Sequence, residues 1–277
     1  MFRLKFGLSI PITIGEKWKQ SLVTAVKKID DLDFDSILVW DHYMMPKGNR
    51  TLDAWNLLAY IAGITSRVRL GTVVTPIPFR PPAILAKMIS SVDQLSDGRV
   101  IFGVGAGWHA PEFRGYSTWE SDSIRVEKTI EGLEIITKLW TEDSVTHEGK
   151  YYQLKDAVLD PKPIQKPYPP LWFGTASKKM LGVMAKYGNG WIPVGISPQR
   201  YGEIANEILS ASKSKSDKVV LAYFSRWIDV GEKKMAEEVE AFAKAGCEYF
   251  VPVLWYESTK AVEQMEQFAK NVMPSYI

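Results

Sequence analysis

RVRLGTVVTPIPFRPPAILAKMISSVDQLSDGRVIFGV, residues 67–104, reads in order as strand, break, helix, turn and strand. The strand covers 67–74. Pro76, Pro78, Pro81 and Pro82 then interrupt the chain. The Pro81-Pro82 doublet opens a helix over 83–95, where a proline in the first turn loses no hydrogen bond. Asp97-Gly98 is a turn signal, and the next strand runs over 100–104. This is one strand–helix–strand unit, and its rhythm can be followed in both directions.

Towards the N-terminus, LKFGLSI (4–10) is the first strand and ends at Pro11. Trp18, Leu22, Val26 and Ile29 recur at helical spacing over 18–29. SILVW (36–40) is a short continuous apolar run, as found in a strand buried on both faces, and a helix follows over 53–64. Towards the C-terminus, residues 105–121 read as a long polar and aromatic loop. The spacing of Ile124, Ile130, Leu133, Ile136 and Trp140 marks a helix over 124–140. Strands at 171–173, 190–194, 219–227 and 249–254 alternate with helices at 177–187, 199–210, 232–245 and 259–270. Two segments break the rhythm. HEGKYYQL sits in a small hairpin over 146–154, and the proline-rich PKPIQKPYPP (161–170) must be extended and stiff. Residues 143–170 are therefore an insertion.

Eight strand–helix pairs in order are the arithmetic of a (β/α)8 TIM barrel. The expected fold is one such domain over 1–277, with the insertion between strands four and five. A doubly wound sheet competes, but no glycine-rich dinucleotide fingerprint follows the first strand, which reads GLSIPITIGEKW.

Composition narrows the function. With 34 basic and 32 acidic residues the formal charge is +2, and basic residues cluster only in pairs, so no nucleic-acid stripe is expected. No stretch approaches a membrane span. The single cysteine, Cys247, permits no internal disulfide. A cytoplasmic enzyme with no membrane partner is the expectation, and the N-terminal run is read as a strand rather than a signal peptide. His42, His109 and His147 lack short ligand spacing, so no metal is expected. No G-x-S-x-G elbow is present.

TIM barrels carry their chemistry at the C-terminal strand ends. Strand two ends in Asp41-His42. An imidazole can give or take a proton near neutral pH, which makes His42 the catalytic candidate; a structural histidine is the alternative. Asp41 can orient that histidine or meet a ligand; equally, it can receive a helix terminus or a salt bridge. Strand four ends in Gly105-Ala106-Gly107-Trp108-His109, small residues beside an aromatic wall that let a flat ring approach the backbone, though core packing explains small residues too. Glu112 is the only carboxylate in the opening of this loop and could hold Arg114 or Arg80, with catalysis as the lesser reading. Gly174-Thr175-Ala176-Ser177 enters a helix and can cradle a phosphate or serve as an ordinary N-cap. Trp108, Trp172, Trp191, Trp227 and Trp255 near the rims hint at an apolar or aromatic substrate. Glycines, hydroxyls and aromatics at the strand ends fit an uncharged planar ring with an anionic tail, and so a redox cofactor.

GVGAGWHAPEFRGY (103–116) resembles the strand-four signature of the bacterial luciferase-like monooxygenase superfamily. VWDHYMMP (39–46), residues 67–100, RVEKTIEGLEIITKLWTEDSVTHEGKYYQL (125–154), PKPIQKPYPPLWFG (161–174) and GTASKKMLGVMAKYGNGW (174–191) continue the likeness in order. The resemblance implies a TIM barrel, and the DH, GTVVTP and GAGW strings are most similar to the branch that uses the deazaflavin coenzyme F420. On that likeness the protein is an F420-dependent oxidoreductase passing a hydride between deazaflavin C5 and a small organic substrate. An FMN-dependent monooxygenase fed by a partner flavin reductase is the alternative, and a non-catalytic flavin-binding barrel the lesser one.

The resemblance also assigns residues. Asp41 would meet the cofactor, and His42 would lie over the reacting face. Thr72 and Val73 would back the ring at a non-prolyl cis peptide, at Thr72–Val73 or else Val73–Val74. Gly105, Ala106, Gly107 and Trp108 would line the ring, and Gly174, Thr175, Ala176 and Ser177 would hold the tail phosphate. Sugar-phosphate dehydrogenases of this branch carry a glutamate directly after the glycines; Trp108 stands there instead, which argues against a sugar phosphate. A homodimer is implied through helices bearing Leu57, Leu58, Ile61, Ile84, Leu85 and Met88, residues that also have to cover the barrel.

Overall fold

A computed structural model describes residues 4–45, 50–212, 219–228 and 231–276, with only the backbone described for Ser212, Arg226 and Trp227. The elements in order are β1 (Lys5–Ile10), α1 (Trp18–Asp31), β2 (Ser36–Val39), α2 (Ala54–Ala62), β3 (Arg69–Thr72), β4 (Thr75–Pro76), α3 (Pro82–Leu95), β5 (Val100–Gly105), α4 (Ala110–Tyr116) and α5 (Asp122–Thr141). They continue as β6 (Val145–Glu148), β7 (Gln153–Ala157), β8 (Leu171–Phe173), α6 (Lys178–Tyr187), β9 (Gly190–Trp191), α7 (Pro198–Ser212), β10 (Val220–Trp227), α8 (Glu232–Lys244), β11 (Tyr249–Val253) and α9 (Ala261–Asn271).

The strands run β3-β2-β1-β11-β10-β9-β8-β5-β4, and β3 also pairs with β5, which closes the ring. Every pairing in it is parallel. With β3 and β4 counted as one interrupted strand, this is the eight-stranded barrel expected from the sequence.

The period-2 alternation of a strand divides the core. Leu38, Ile101, Trp172, Ile192, Tyr249 and Val251 form a small inner cluster with Ala222. Their neighbours Ile37, Val39, Val100, Phe102, Leu171, Phe173 and Phe250 belong to the larger cluster shared with the helices. Trp172 thus fills the barrel rather than its rim. Trp191 is buried in the outer layer, Trp255 is 39% exposed, and the Trp227 side chain lies outside the described residues.

Three expectations change. The strand read over 67–74 is interrupted: β3 stops at Thr72, a cis bond joins Val73 to Val74, and the chain resumes as β4 against β5. Val73 N–H still donates to the Val39 carbonyl at 2.8 Å, which keeps the Thr72–Val73 bond in strand register and moves the cis peptide one bond on. The loop read over 105–121 contains a helix, α4, whose first turn takes Pro111. Finally, Leu57, Leu58, Ile61 and Leu85 are buried in the core, because the barrel needs covering by the same helix faces. Of the residues expected to supply a dimer face, Ile84 is the exposed one, at 57%.

The insertion is the antiparallel hairpin β6–β7 followed by the proline-rich segment. Glu131 of α5 pins the hairpin turn by accepting from the backbone N–H groups of Tyr151 (3.0 Å) and Tyr152 (2.7 Å). No described helix is long and apolar enough to cross a membrane.

Candidate active site

A cavity of about 460 Å³ opens where the strands end. Its wall takes Trp40 and His42 after β2, Val73 and Val74 between β3 and β4, Gly105 to Trp108 after β5, and Gly174, Thr175 and Ser177 after β8. The size is within the range of cofactor and small-ligand sites. Val74 is seated between two glycines. A Cβ on Gly105 would come within 2.6 Å of Val74, and one on Gly174 within 2.8 Å. Glycine at both places lets the Val74 side chain drop into the wall and leaves a low, flat floor.

Asp41 and His42 are consecutive but join different clusters. Asp41 is 1% exposed and absent from the cavity wall. Arg80 grips it with both arms, Nη1 to Oδ2 and Nη2 to Oδ1, each at 2.8 Å. The Thr75 hydroxyl donates to Oδ2 at 2.7 Å and itself accepts from Trp55 Nε1 at 3.2 Å. Arg80 also reaches Asp53 at 2.9 Å, the residue that caps α2, and lies over the Tyr43 ring at 4.7 Å. Burial would lower the Arg80 pKa, but the Asp41 charge and hydrogen bonds, with Tyr43 and Asp53, together raise it. Burial pushes the Tyr43 hydroxyl up to about 12. Both Asp41 carboxylate oxygens are therefore engaged within the protein, which realises the salt-bridge reading open to this residue.

His42 faces the cavity and a second carboxylate. Its Nδ1 lies 2.9 Å from Glu112 Oε2. Glu112 is fully buried, and its Oε1 accepts from the backbone N–H groups of Met44, at 2.9 Å, and Tyr43. Burial would raise the Glu112 pKa, but the His42 hydrogen bond and the Met44 and Tyr43 N–H groups together lower it. His109 Nδ1, buried and without a hydrogen-bond partner, stands 3.7 Å from the same Oε2. Trp108, 66% exposed, sets its ring edge-to-face with His42 at 5.8 Å. Glu112 thus holds neither Arg114 nor Arg80. The missed signal is α4: once residues 110–116 are helical, Glu112 sits one turn from His109 and swings back to the end of β2. The histidine spacing expected to exclude a metal also overlooked this approach, in which ligand-type atoms of His42, His109 and Glu112 lie within 4.8 Å of one another.

At the far end, Ser177 accepts from Met180 N–H at 3.3 Å as the N-cap of α6, and Thr175 accepts from Ser177 N–H at 3.0 Å. The ordinary capping role is therefore realised, while Thr175 and Ser177 still line the cavity. Ala176 is exposed beside them. Thr72 is buried, with its hydroxyl 3.3 Å from the Gly103 carbonyl, and lies off the wall. Sequence reasoning did not single out Trp40, Met45, Pro76, Phe224 or Arg125, all on the wall. Arg125 packs over Trp119 at 3.9 Å and pairs with Asp122 at 2.6 Å. Trp40 directly follows β2, Pro76 and Phe224 lie in β4 and β10, Met45 is on the loop after β2, and Arg125 is in the first turn of α5.

A family model described as luciferase-like monooxygenase matches residues 4–272. An uncharacterised protein of Mycobacterium tuberculosis is 34% identical over 158 residues, 57% of this chain and 54% of its own. The F420-dependent glucose-6-phosphate dehydrogenase of Segniliparus rotundus is 31% identical over 223 residues, covering 76% of this chain and 65% of that one. The chain thus spans about half to two thirds of the length of these relatives. An F420-dependent secondary alcohol dehydrogenase, solved with an F420–acetone adduct, superposes over 100% of both chains with a TM-score of 0.85 at 20% identity, a likeness of fold.

Proposed function

The chain belongs to the luciferase-like monooxygenase family, and from that membership we propose that it is an F420-dependent oxidoreductase acting on a small, uncharged organic substrate. The observation that carries this reading is His42 on the wall of one cavity with the flat floor made by Val74 between Gly105 and Gly174. A planar ring fits such a floor, because a Cβ on either glycine would push Val74 up into its place. The named activity of the Segniliparus relative favours the deazaflavin over FMN. When bound, the deazaflavin supplies hydride chemistry at its C5.

The chain's own residues do the rest. Val73, Val74 and Gly105 back the ring and limit its distance from the substrate carbon. Trp40 and Trp108 line the same cavity and would flank a bound ring. His42 handles the proton: when a carbonyl carbon gains hydride, the imidazole delivers H⁺ to the oxygen, and in the reverse direction it removes the hydroxyl proton as hydride leaves. Trp108, where sugar-phosphate dehydrogenases of this branch carry glutamate, together with Met45, Val126 and Phe224 on the wall, supports an apolar substrate over a sugar phosphate.

Fluorescence titration with F420 and, separately, FMN tests the reading. Micromolar or tighter F420 binding with FMN at least tenfold weaker is expected. The reverse preference would replace it with a flavin monooxygenase, and binding of neither would end it.

A further inference from the structure

We propose that Glu112 is the positioning residue for His42: it holds the imidazole in the tautomer with the proton on Nδ1, leaving Nε2 as the nitrogen that exchanges a proton with substrate. The tautomer itself follows from the cluster's hydrogen bonds together with the ionised state of Glu112; the use of Nε2 in proton exchange rests on the oxidoreductase reading above.

The argument is an allocation of donors and acceptors. The backbone N–H groups of Tyr43 and Met44 can only donate, so Glu112 Oε1, which faces both, must be an unprotonated acceptor. The lowered Glu112 pKa keeps the other oxygen unprotonated too, so Oε2 has only acceptor capacity left. His42 Nδ1 lies 2.9 Å from that oxygen and must therefore carry the hydrogen. Among the described residues no other group competes for this arrangement. His109 Nδ1 is beyond hydrogen-bond reach at 3.7 Å. Asp41, the neighbouring acid in the chain, is held by Arg80 and Thr75, and Asp53 and Tyr43 belong to that same cluster. Trp108 packs edge-to-face with the imidazole and limits its rotation.

Glu112 also has a plainly structural task, the anchoring of residues 43 and 44, which uses only Oε1. The two roles separate in Glu112→Gln. A carboxamide has one carbonyl oxygen, which the two backbone N–H groups claim. Its NH2 then faces His42 Nδ1, which must become an acceptor, so the proton moves to Nε2 and the nitrogen facing the substrate is changed.

The experiment uses protein labelled with 15N-histidine, at a pH alkaline enough for neutral imidazole, and reads long-range 1H–15N correlations. The chain has three histidines, and substitution of His147, which lies in the insertion hairpin, simplifies assignment. Wild-type His42 is expected to be protonated on Nδ1 and Glu112→Gln on Nε2, with circular dichroism and F420 affinity within twofold of wild type. Once an accepted substrate is known, kcat should fall by about 10²–10⁴ with KM within a few-fold, as expected for an imidazole held in the wrong tautomer. An Nε2-protonated wild type overturns the proposal, as does a variant that keeps its proton on Nδ1. If the variant fails to fold, the wild-type spectrum alone decides. Failure of F420 to bind would remove the oxidoreductase reading but leave the tautomer result standing.

Discussion

Asp41 and His42 leave the same strand one residue apart and enter two carboxylate clusters of opposite character. Around Asp41, both oxygens and the Thr75 hydroxyl between them and Trp55 are matched, and nothing reaches the cavity. Around Glu112, the protein matches one oxygen with backbone donors but gives the other to a side chain on the cavity wall, and it leaves His109 Nδ1 unpartnered. Both carboxylates are buried, so burial alone does not distinguish structure from chemistry. The distinction lies in whether the charged group's partners are fixed donors or a titratable ring that meets solvent.

The comparison can be broken most directly at Arg80. Arg80→Met leaves Asp41 buried without its charge partner, and a loss of about 3–5 kcal/mol is expected in urea unfolding. A loss below about 1 kcal/mol would mean that the Asp41 cluster is not the structural one. Thr75→Val should cost about 1–3 kcal/mol, since Asp41 loses a donor and Trp55 Nε1 an acceptor.

Glu112→Gln sharpens the contrast, for it should cost roughly 1 kcal/mol at neutral pH while striking at the chemistry. Its stability effect has a defined sign with pH. Glu112 has a folded pKa below its ordinary 4.5, so its contribution is present above about that pH and is lost as pH falls through the folded value. The stability gap between wild type and variant should therefore close in acid; a gap that widened below 4.5 would contradict the ionised assignment. Trp108→Ala comes last. Its exposed ring predicts a stability change within about 0.5 kcal/mol, with several-fold weaker ligand binding as the cavity wall is lost. Unfolding curves alongside F420 titrations would show whether the two effects separate.

Much of the fold was legible because its signals are local. Each strand is a short apolar run and each helix a 3.6-residue pattern, so counting pairs sufficed to reach the barrel. The strand ends then named the right stretches of wall: His42, Val73, Gly105 to Trp108, and Gly174 with Thr175 and Ser177 all border the cavity. The miss at residues 110–116 was also local in origin. Ala-Pro-Glu-Phe-Arg-Gly-Tyr carries Pro and Gly within a single short helix, and its apolar spacing is too brief to register.

Other features had no local signal. That Arg80, thirty-nine residues away, would neutralise Asp41 depends on how the segment after β4 is brought to the end of β2. That Glu112 would cross seventy residues to His42 depends on where α4 is laid down.

The amino-acid sequence by itself determined the eight-unit barrel, the family and the strand-end residues from which a site would be built, because hydrophobic period and turn chemistry act between near neighbours. Tertiary structure alone decided which partner each of Asp41 and His42 would answer to: Arg80 for the one and Glu112 for the other. Such pairings form between side chains far apart in the chain, and their energy exists only once the barrel has closed and removed them from water.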